Sequence, residues 1–306
     1  MNIEKLDFNS ETEIAAFVRE CEDKYTSDVK KACSISIAGG KIITLCGPTC
    51  SGKTTSALIL DDEFKRCGKE LHTISIDDFY FDREVLEEKS RLKGLPLDYD
   101  SPSTIDIDLF AKVLCDIEDG GTAVLPKFDF RSGSRVGYET INITDGDVFL
   151  FEGIQAVYPE LTQYLTGHDY TSLFISVAED FDLFGEHFDK SELRFMRRLV
   201  RDARTRGASA EFTFSMWDGV VANEHKNIYS NLGGVDFFIN SLMAYEVCVI
   251  KPFVMPLLDT IASDSAYFGE AQTLVKKLEN IPVIDSKYVP DGSVFREFIG
   301  ERTEKI

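Results

Sequence analysis

The chain has 306 residues, 43% of them hydrophobic, and 33 basic residues against 53 acidic ones give a formal charge of −20. That length supplies one large core or two small ones, and the acidity excludes a general attraction to nucleic-acid phosphates, so phosphate binding has to come from a local basic cluster. Seven scattered cysteines with no CxxC pair exclude a disulfide framework and a zinc site, and the four histidines show no ligand spacing, so any metal is expected to be oxygen-bound. No apolar leader and no run of 18 apolar residues is found, which reads as a cytoplasmic protein without a membrane partner.

Residues 1–38 read as a helical extension. Ser10 followed by Glu13 fits a capping box, and Ile14, Phe17, Val18 and Cys21 share one helical face. Apolar strands then alternate with amphipathic helices, with strands expected at 41–46, 71–76, 147–151, 172–178 and 235–239. Helices are expected near 53–66, 104–118, 190–206, 209–227 and 242–262. Short, nearly continuous apolar strands separated by helices indicate an α/β fold with a parallel sheet covered on both faces. The stretch 122–143 breaks that order and reads as a β-hairpin with RSGSR at its turn, an insertion placed to act as a substrate flap. One main domain over 39–265 is expected, followed at 266–306 by a helix and an irregular segment. Either extension could cap a sheet edge or join copies of the chain into a homo-oligomer.

The segment Gly47-Pro48-Thr49-Cys50-Ser51-Gly52-Lys53-Thr54 fits G-x-x-x-x-G-K-[ST] without gaps, after a strand and before a helix. Glycine lets the backbone wrap closely around a phosphate, successive N–H groups point into the concavity, and the helix adds its positive end. Lys53 is expected on the β- and γ-phosphates, and the Thr54 hydroxyl on Mg²⁺. Thr55 completes the loop. This pattern marks a nucleoside-triphosphate site. Cys50 lies where N–H dipoles would lower its thiol pKa, as a redox brake would need; the plainer reading is a small tolerated side chain.

No N-K-x-D guanine signature is present, and FLFEG offers a lone Glu152 where motor-type ATPases carry an Asp-Glu pair. Glu152 is placed to hold Mg²⁺ or to order an acceptor. The second strand ends in SIDDFYFDR, and since ligands bind beyond the carboxyl ends of parallel strands, Asp77 should project beside the loop as base and metal neighbour. Asp78 competes for that role. Six arginines (194, 197, 198, 201, 204 and 206) crowd KSELRFMRRLVRDARTRG. Arg194, Arg197 or Arg198, and Arg201 run along one side, ready to close over transferring phosphates. The alternative is a solvated helix paired with acidic neighbours such as Asp202, and Arg204 is expected to be ordinary.

These segments resemble the uridine kinase/phosphoribulokinase family of P-loop kinases. GPTCSGKTT is similar to its ATP loop, IDDFY to its acidic strand end, and DYDSP (98–102) to its N-F-D-H-P segment. PKFDFRSGSR is similar to its hairpin, LFEGI to its Glu strand, and RRLVRDARTRG to its lid helix. Within that family the chain looks closest to the kinase half of bacterial proteins that join a TGS-like region to a uridine kinase-like region. The resemblance implies a five-stranded parallel sheet in order 2-3-1-4-5, ATP phosphates on residues 47–55, and Mg²⁺ near Thr54, Asp77 and Glu152. It implies Asp77 as base, with Lys53, Arg198 and Arg201 acting on the transferred phosphate in a lid over 190–207. Further phosphate contacts fall to Arg194, Arg197 and Arg206. Asp100 would bind sugar hydroxyls, and Tyr80, Asp129, Arg131 and Arg135 would surround the acceptor. The tyrosine and histidine that read a pyrimidine in nucleoside-specific members align with Phe128 and Gly133. A small-molecule acceptor is therefore expected, either a nucleoside such as uridine or cytidine, or an anionic one met by Arg131 and Arg135. A nucleotide-binding regulatory module without turnover is the alternative.

Overall fold

The computed structural model describes residues 3–94 and 101–300. In chain order the elements are α1 (Glu11–Ala38), β1 (Ile42–Cys46), α2 (Lys53–Arg66), β2 (Glu70–Ser75), α3 (Arg83–Lys93) and α4 (Ile107–Asp119). The hairpin β3 (Thr122–Asp129) and β4 (Ser134–Asn142) follows, then β5 (Asp147–Glu152), α5 (Pro159–Thr162), β6 (Tyr170–Ser176), β7 (Phe181–Leu183) and β8 (Glu186–Phe188). The chain continues through α6 (Lys190–Arg206), α7 (Ala210–Asn227), β9 (Phe237–Asn240), α8 (Glu246–Leu258), α9 (Phe268–Glu279) and α10 (Arg296–Ile299).

Five of the strands form one parallel sheet in the order β2-β5-β1-β6-β9. Counting only these strands along the chain, that order is 2-3-1-4-5. The alternation of a strand sorts its side chains onto two faces. Ile43, Leu45, Leu150, Leu173 and Ile175 enter the apolar layer shared with α1, α2, α6 and α8. Ile42, Cys46, Phe149, Phe151 and Phe174 enter the layer shared with α4 and the hairpin. All five residues of β1 are buried, which is why the strand reads as an apolar run.

Both terminal segments enter the first layer. Phe17, Val18, Tyr25 and Val29 of α1, and Phe298 and Ile299 of α10, belong to the same cluster as the sheet residues. Ser10 caps α1 by accepting from the Glu13 N–H at 3.3 Å, whereas the Glu13 carboxylate reaches the Asp7 N–H instead of that of Ser10. The reciprocal capping box is found on α6, between Asp189 and Glu192.

The helix expected as a lid is packed on one side. Leu193, Met196 and Leu199 of α6 are fully buried, so the helix is seated as part of the wall of the cleft. α3, the β7–β8 hairpin and the short helices α5 and α10 have no counterpart in the expected set. Among the described residues of α3 only Leu86 is buried, too little for an apolar period. The β7–β8 hairpin turns on Phe184 and Gly185, both with positive φ, in a segment too short to show alternation.

Candidate active site

β1 ends at Cys46 and α2 begins at Lys53, so residues 47–52 wrap the opening between them. Gly47 is required by proximity, because a Cβ there would collide with the Ile175 carbonyl oxygen and lie 2.6 Å from Ser51 Oγ. Gly52 is required twice over. Its φ is +92°, and a side chain would strike Val294 of the C-terminal segment. The loop borders a cleft of about 430 Å³, also lined by Asp77, Glu152, Arg198, Arg201, Arg206, Glu224 and Glu297. Lys53 lies against the loop, its Nζ donating to the carbonyl of Gly47 at 2.8 Å and of Pro48 at 3.3 Å.

The arginines of α6 divide into two groups. Arg198, Arg201 and Arg206 line the cleft and converge on buried Asp202, with nitrogen–oxygen separations of 3.2, 2.9 and 3.3 Å. Arg194 and Arg197, expected on phosphates, are instead buried beneath the loop, 2% and 1% exposed. Arg194 donates from Nε to the Thr49 carbonyl at 3.0 Å and from Nη2 to both carboxylate oxygens of Glu224 at 2.6 and 2.5 Å, and Glu224 accepts from the Thr49 N–H at 2.9 Å. Arg197 donates to the Cys50 carbonyl at 2.9 Å and pairs with fully buried Glu246. These two side chains hold the loop from behind. Helical spacing put Arg194, Arg197 or Arg198, and Arg201 along one side, but the structure divides them, because burial is decided by carboxylates 30 and 49 residues away on α7 and α8. Arg204 donates to the Phe298 carbonyl, a packing contact of the expected ordinary kind.

Asp77 lies in the tight helical turn Ile76–Phe79 that follows β2. Burial raises its carboxyl above the ordinary range, against the opposing pull of a Gln155 hydrogen bond and the Lys53 charge. Burial also raises Glu152 at the end of β5, again opposed by Lys53. Asp78 points away from the cleft, accepting from the Phe128 N–H at 2.9 Å, so it tethers the hairpin. Gln155 escaped the sequence reading. It is 1% exposed, and its Nε2 donates to Asp77 Oδ1 and to the Tyr80 hydroxyl, both at 3.1 Å. Cys50 is buried and burial raises its thiol, so the redox brake is not supported.

Among the described residues no three His, Cys, Asp or Glu side chains are grouped to hold a metal by themselves. The Thr54 hydroxyl with the Asp77 and Glu152 carboxylates nevertheless forms an all-oxygen set in the cleft, which suits a hard cation sharing its shell with phosphate oxygens and water.

Beyond Asp77, Tyr80 and Phe128 stand at the inner end of the hairpin. Their ring centroids are 5.9 Å apart, and Phe130 lies 5.2 Å from Phe128. Asp129, expected to touch the acceptor, caps the turn, accepting from the N–H groups of Arg131 and Ser132 at 3.1 Å each, which lowers its carboxyl. Arg131 is exposed on the turn. Arg135 is drawn to Asp106 at 3.2 Å and to the Tyr80 carbonyl at 3.4 Å, so its charge is paired within the protein rather than left free to meet an anionic acceptor. Asp100 lies outside the described residues.

The profile of the phosphoribulokinase / uridine kinase family matches residues 42–246. The chain belongs to this family. Its members transfer a phosphoryl group to a hydroxyl, and so the chain is a phosphotransferase. A uridine-cytidine kinase B of Dictyostelium discoideum is 34% identical over 181 residues, covering 59% of this chain and 65% of that protein. A uridine kinase of Staphylococcus haemolyticus is 31% identical over 190 residues, covering 62% of this chain and 81% of that one. Among solved structures, a D-glycerate 3-kinase of Cryptococcus neoformans matches at 18% identity with a TM-score of 0.42, over 69% of this chain and 85% of that one. The family profile ends at the first residue of α8, so Val294 beside Gly52 and Glu297 on the cleft wall come from outside the matched region.

Proposed function

We propose that the chain transfers the γ-phosphate of ATP to a hydroxyl of a nucleoside, uridine or cytidine in the first instance. The observation that carries this reading is the Gln155 bridge. One buried amide bonds both Asp77 in the phosphate cleft and Tyr80 in the aromatic pocket, so a hydroxyl whose ring rests on Tyr80 and Phe128 is directed towards the Asp77 carboxylate. The names of the curated relatives point the same way.

In this mechanism the loop N–H groups and the positive end of α2 bind the triphosphate, with Lys53 neutralising its outer oxygens. Asp77 accepts the proton of the attacking hydroxyl, and its raised pKa brings it closer to neutral pH as a base. Arg198, Arg201 and Arg206, held in register by Asp202, meet the charge that spreads over the transferred group. Thr54, Asp77 and Glu152 would hold a bound Mg²⁺, which would supply neutralisation of the phosphate charge. No helix among the described residues is long and apolar enough to cross a membrane, and a cytoplasmic site of action belongs to the same proposal.

The test is ADP release from the purified chain with Mg-ATP and a panel of uridine, cytidine, purine nucleosides, glycerate, pantothenate and sugar phosphates. Release that depends on a pyrimidine nucleoside supports the proposal. Release with another acceptor alone would move the substrate class, and tight ATP binding with no release across the panel would favour a regulatory module.

A further inference from the structure

The hairpin offers no polar side chain at the two positions, Phe128 and Gly133, where the family resemblance implies ring-reading groups. The structure places a different cation there. A cavity of about 320 Å³ is lined by Tyr80, Phe81, Leu86, Phe128, Phe130 and Gly133, and by Arg83, the one charged residue among the described residues on its wall. Three of those rings meet at an angle, with Tyr80–Phe128, Tyr80–Phe130 and Phe128–Phe130 centroids 5.9, 6.0 and 5.2 Å apart. They leave flat apolar walls, suited to a flat guest.

Arg83 opens α3, and its backbone N–H donates to the Gly133 carbonyl at 2.7 Å. Its Nη2 donates to the Phe130 carbonyl at 3.2 Å. Gly133 has φ +69°, and a Cβ added there would lie 2.7 Å from Arg83 Nε and 2.8 Å from Cζ. The guanidinium therefore fills the space that a side chain at position 133 would need. Among the described residues it meets no carboxylate, unlike Arg135, which is drawn to Asp106. A guanidinium carries five N–H donors in a planar fork, and one carbonyl uses only one of them.

We infer that Arg83 is the specificity-determining residue of the acceptor site, reading the hydrogen-bond-accepting edge of a flat, unsaturated ring held among Tyr80, Phe128 and Phe130. This rests on the proposed acceptor end of the cleft and names what reads it. A donor-only group selects a ring carbonyl or an unprotonated ring nitrogen and cannot pair with an N–H edge. A doubly charged phosphate is a poor guest, because one guanidinium at an apolar wall does not replace its lost hydration.

The test is titration calorimetry of uridine and 5,6-dihydrouridine into the full chain carrying Mg-ADP, for wild type, Arg83→Ala and Arg83→Gln. Loss of a charge-assisted hydrogen bond is expected to weaken uridine by about 10- to 100-fold in Arg83→Ala. Glutamine keeps one N–H for the Phe130 carbonyl, so a merely structural role would leave Arg83→Gln near wild type, whereas ring reading requires it to lose affinity as well. Dihydrouridine keeps both carbonyls on a puckered ring and is expected to bind the wild type about tenfold or more weaker than uridine. The KM for ATP should not move. Uridine affinity within twofold of wild type in Arg83→Ala, or no binding of either nucleoside, overturns the inference. Arg83-dependent binding without phosphorylation would sink the kinase proposal and leave this inference standing. Turnover on acyclic acceptors alone would do the reverse.

Discussion

Burial raises the Asp77 carboxyl, so the folded protein holds that proton at a pH where the unfolded chain has released it. A raised acid weakens the fold as pH climbs from the ordinary carboxylate range, near 3.8 for an aspartate, through the raised value, and the deficit persists above it. Asp77→Asn removes that deficit while keeping an acceptor for Gln155. Thermal melts should therefore show the variant more stable than wild type at pH 7, with the gap narrowing towards pH 4. Equal melting temperatures at pH 7 would mean that Asp77 is not strained by its setting. Arg194 has the opposite expectation. Truncation to Ala strands the Glu224 carboxylate, 4% exposed, without its partner, and loss of one member of a buried pair costs about 3–5 kcal/mol. A denaturant midpoint unchanged in Arg194→Ala would contradict its place behind the loop. The sequence pattern could not separate Arg194 and Arg197 from Arg198 and Arg201. Glu224 and Glu246 draw the first two inward, and no local spacing marks those distant carboxylates as partners.

At the scale of elements, the loop between β1 and α2 is closed on one side by a segment far along the chain. Val294 occupies the space beside Gly52, and Thr55 Oγ1 donates to Glu297 Oε2 at 3.1 Å. A carboxylate on the wall of a phosphate cleft opposes the charge it faces. Glu297→Gln keeps an acceptor for Thr55 and should lower the KM for ATP, by a few-fold and no more than about tenfold given solvent screening. A rise in KM would instead give Glu297 a supporting role in binding. The loop itself was legible because its glycines, lysine and threonine sit at fixed spacing between an apolar run and a helix. The tail was not, since IPVIDSKYVPDGSVFREFIG has neither a strand nor a helix period and its role depends on where α8 and α9 deliver it. Gln155 and Arg83 escaped for a related reason, as each matters through neighbours brought close by tertiary contact, Asp77 and Tyr80 in one case and Phe130 and Gly133 in the other.

Across the whole molecule, a chain of charge −20 binds phosphate only by concentrating cations at one place, and the strand order supplies that place. β1 sits between β5 and β6, with β2 beyond β5, so the loop after β1, Asp77 after β2 and Glu152 at the end of β5 all open on the same edge of the sheet. The parallel sheet was readable because its central strands are buried on both faces and so nearly continuously apolar. The seating of α6 against α8 and α10 was not, because it depends on which helices arrive later in the chain. In the proposed mechanism, fold and site together make Asp77 the base of the transfer, beyond any share it has in holding Mg²⁺. The most direct measurement sets ATP affinity beside single-turnover phosphoryl transfer to the best acceptor, in wild type and Asp77→Asn. The expected result is Mg-ATP affinity within about threefold and transfer slowed by about 10²- to 10⁴-fold, the usual contribution of a positioned base. Transfer within about tenfold of wild type would contradict the account.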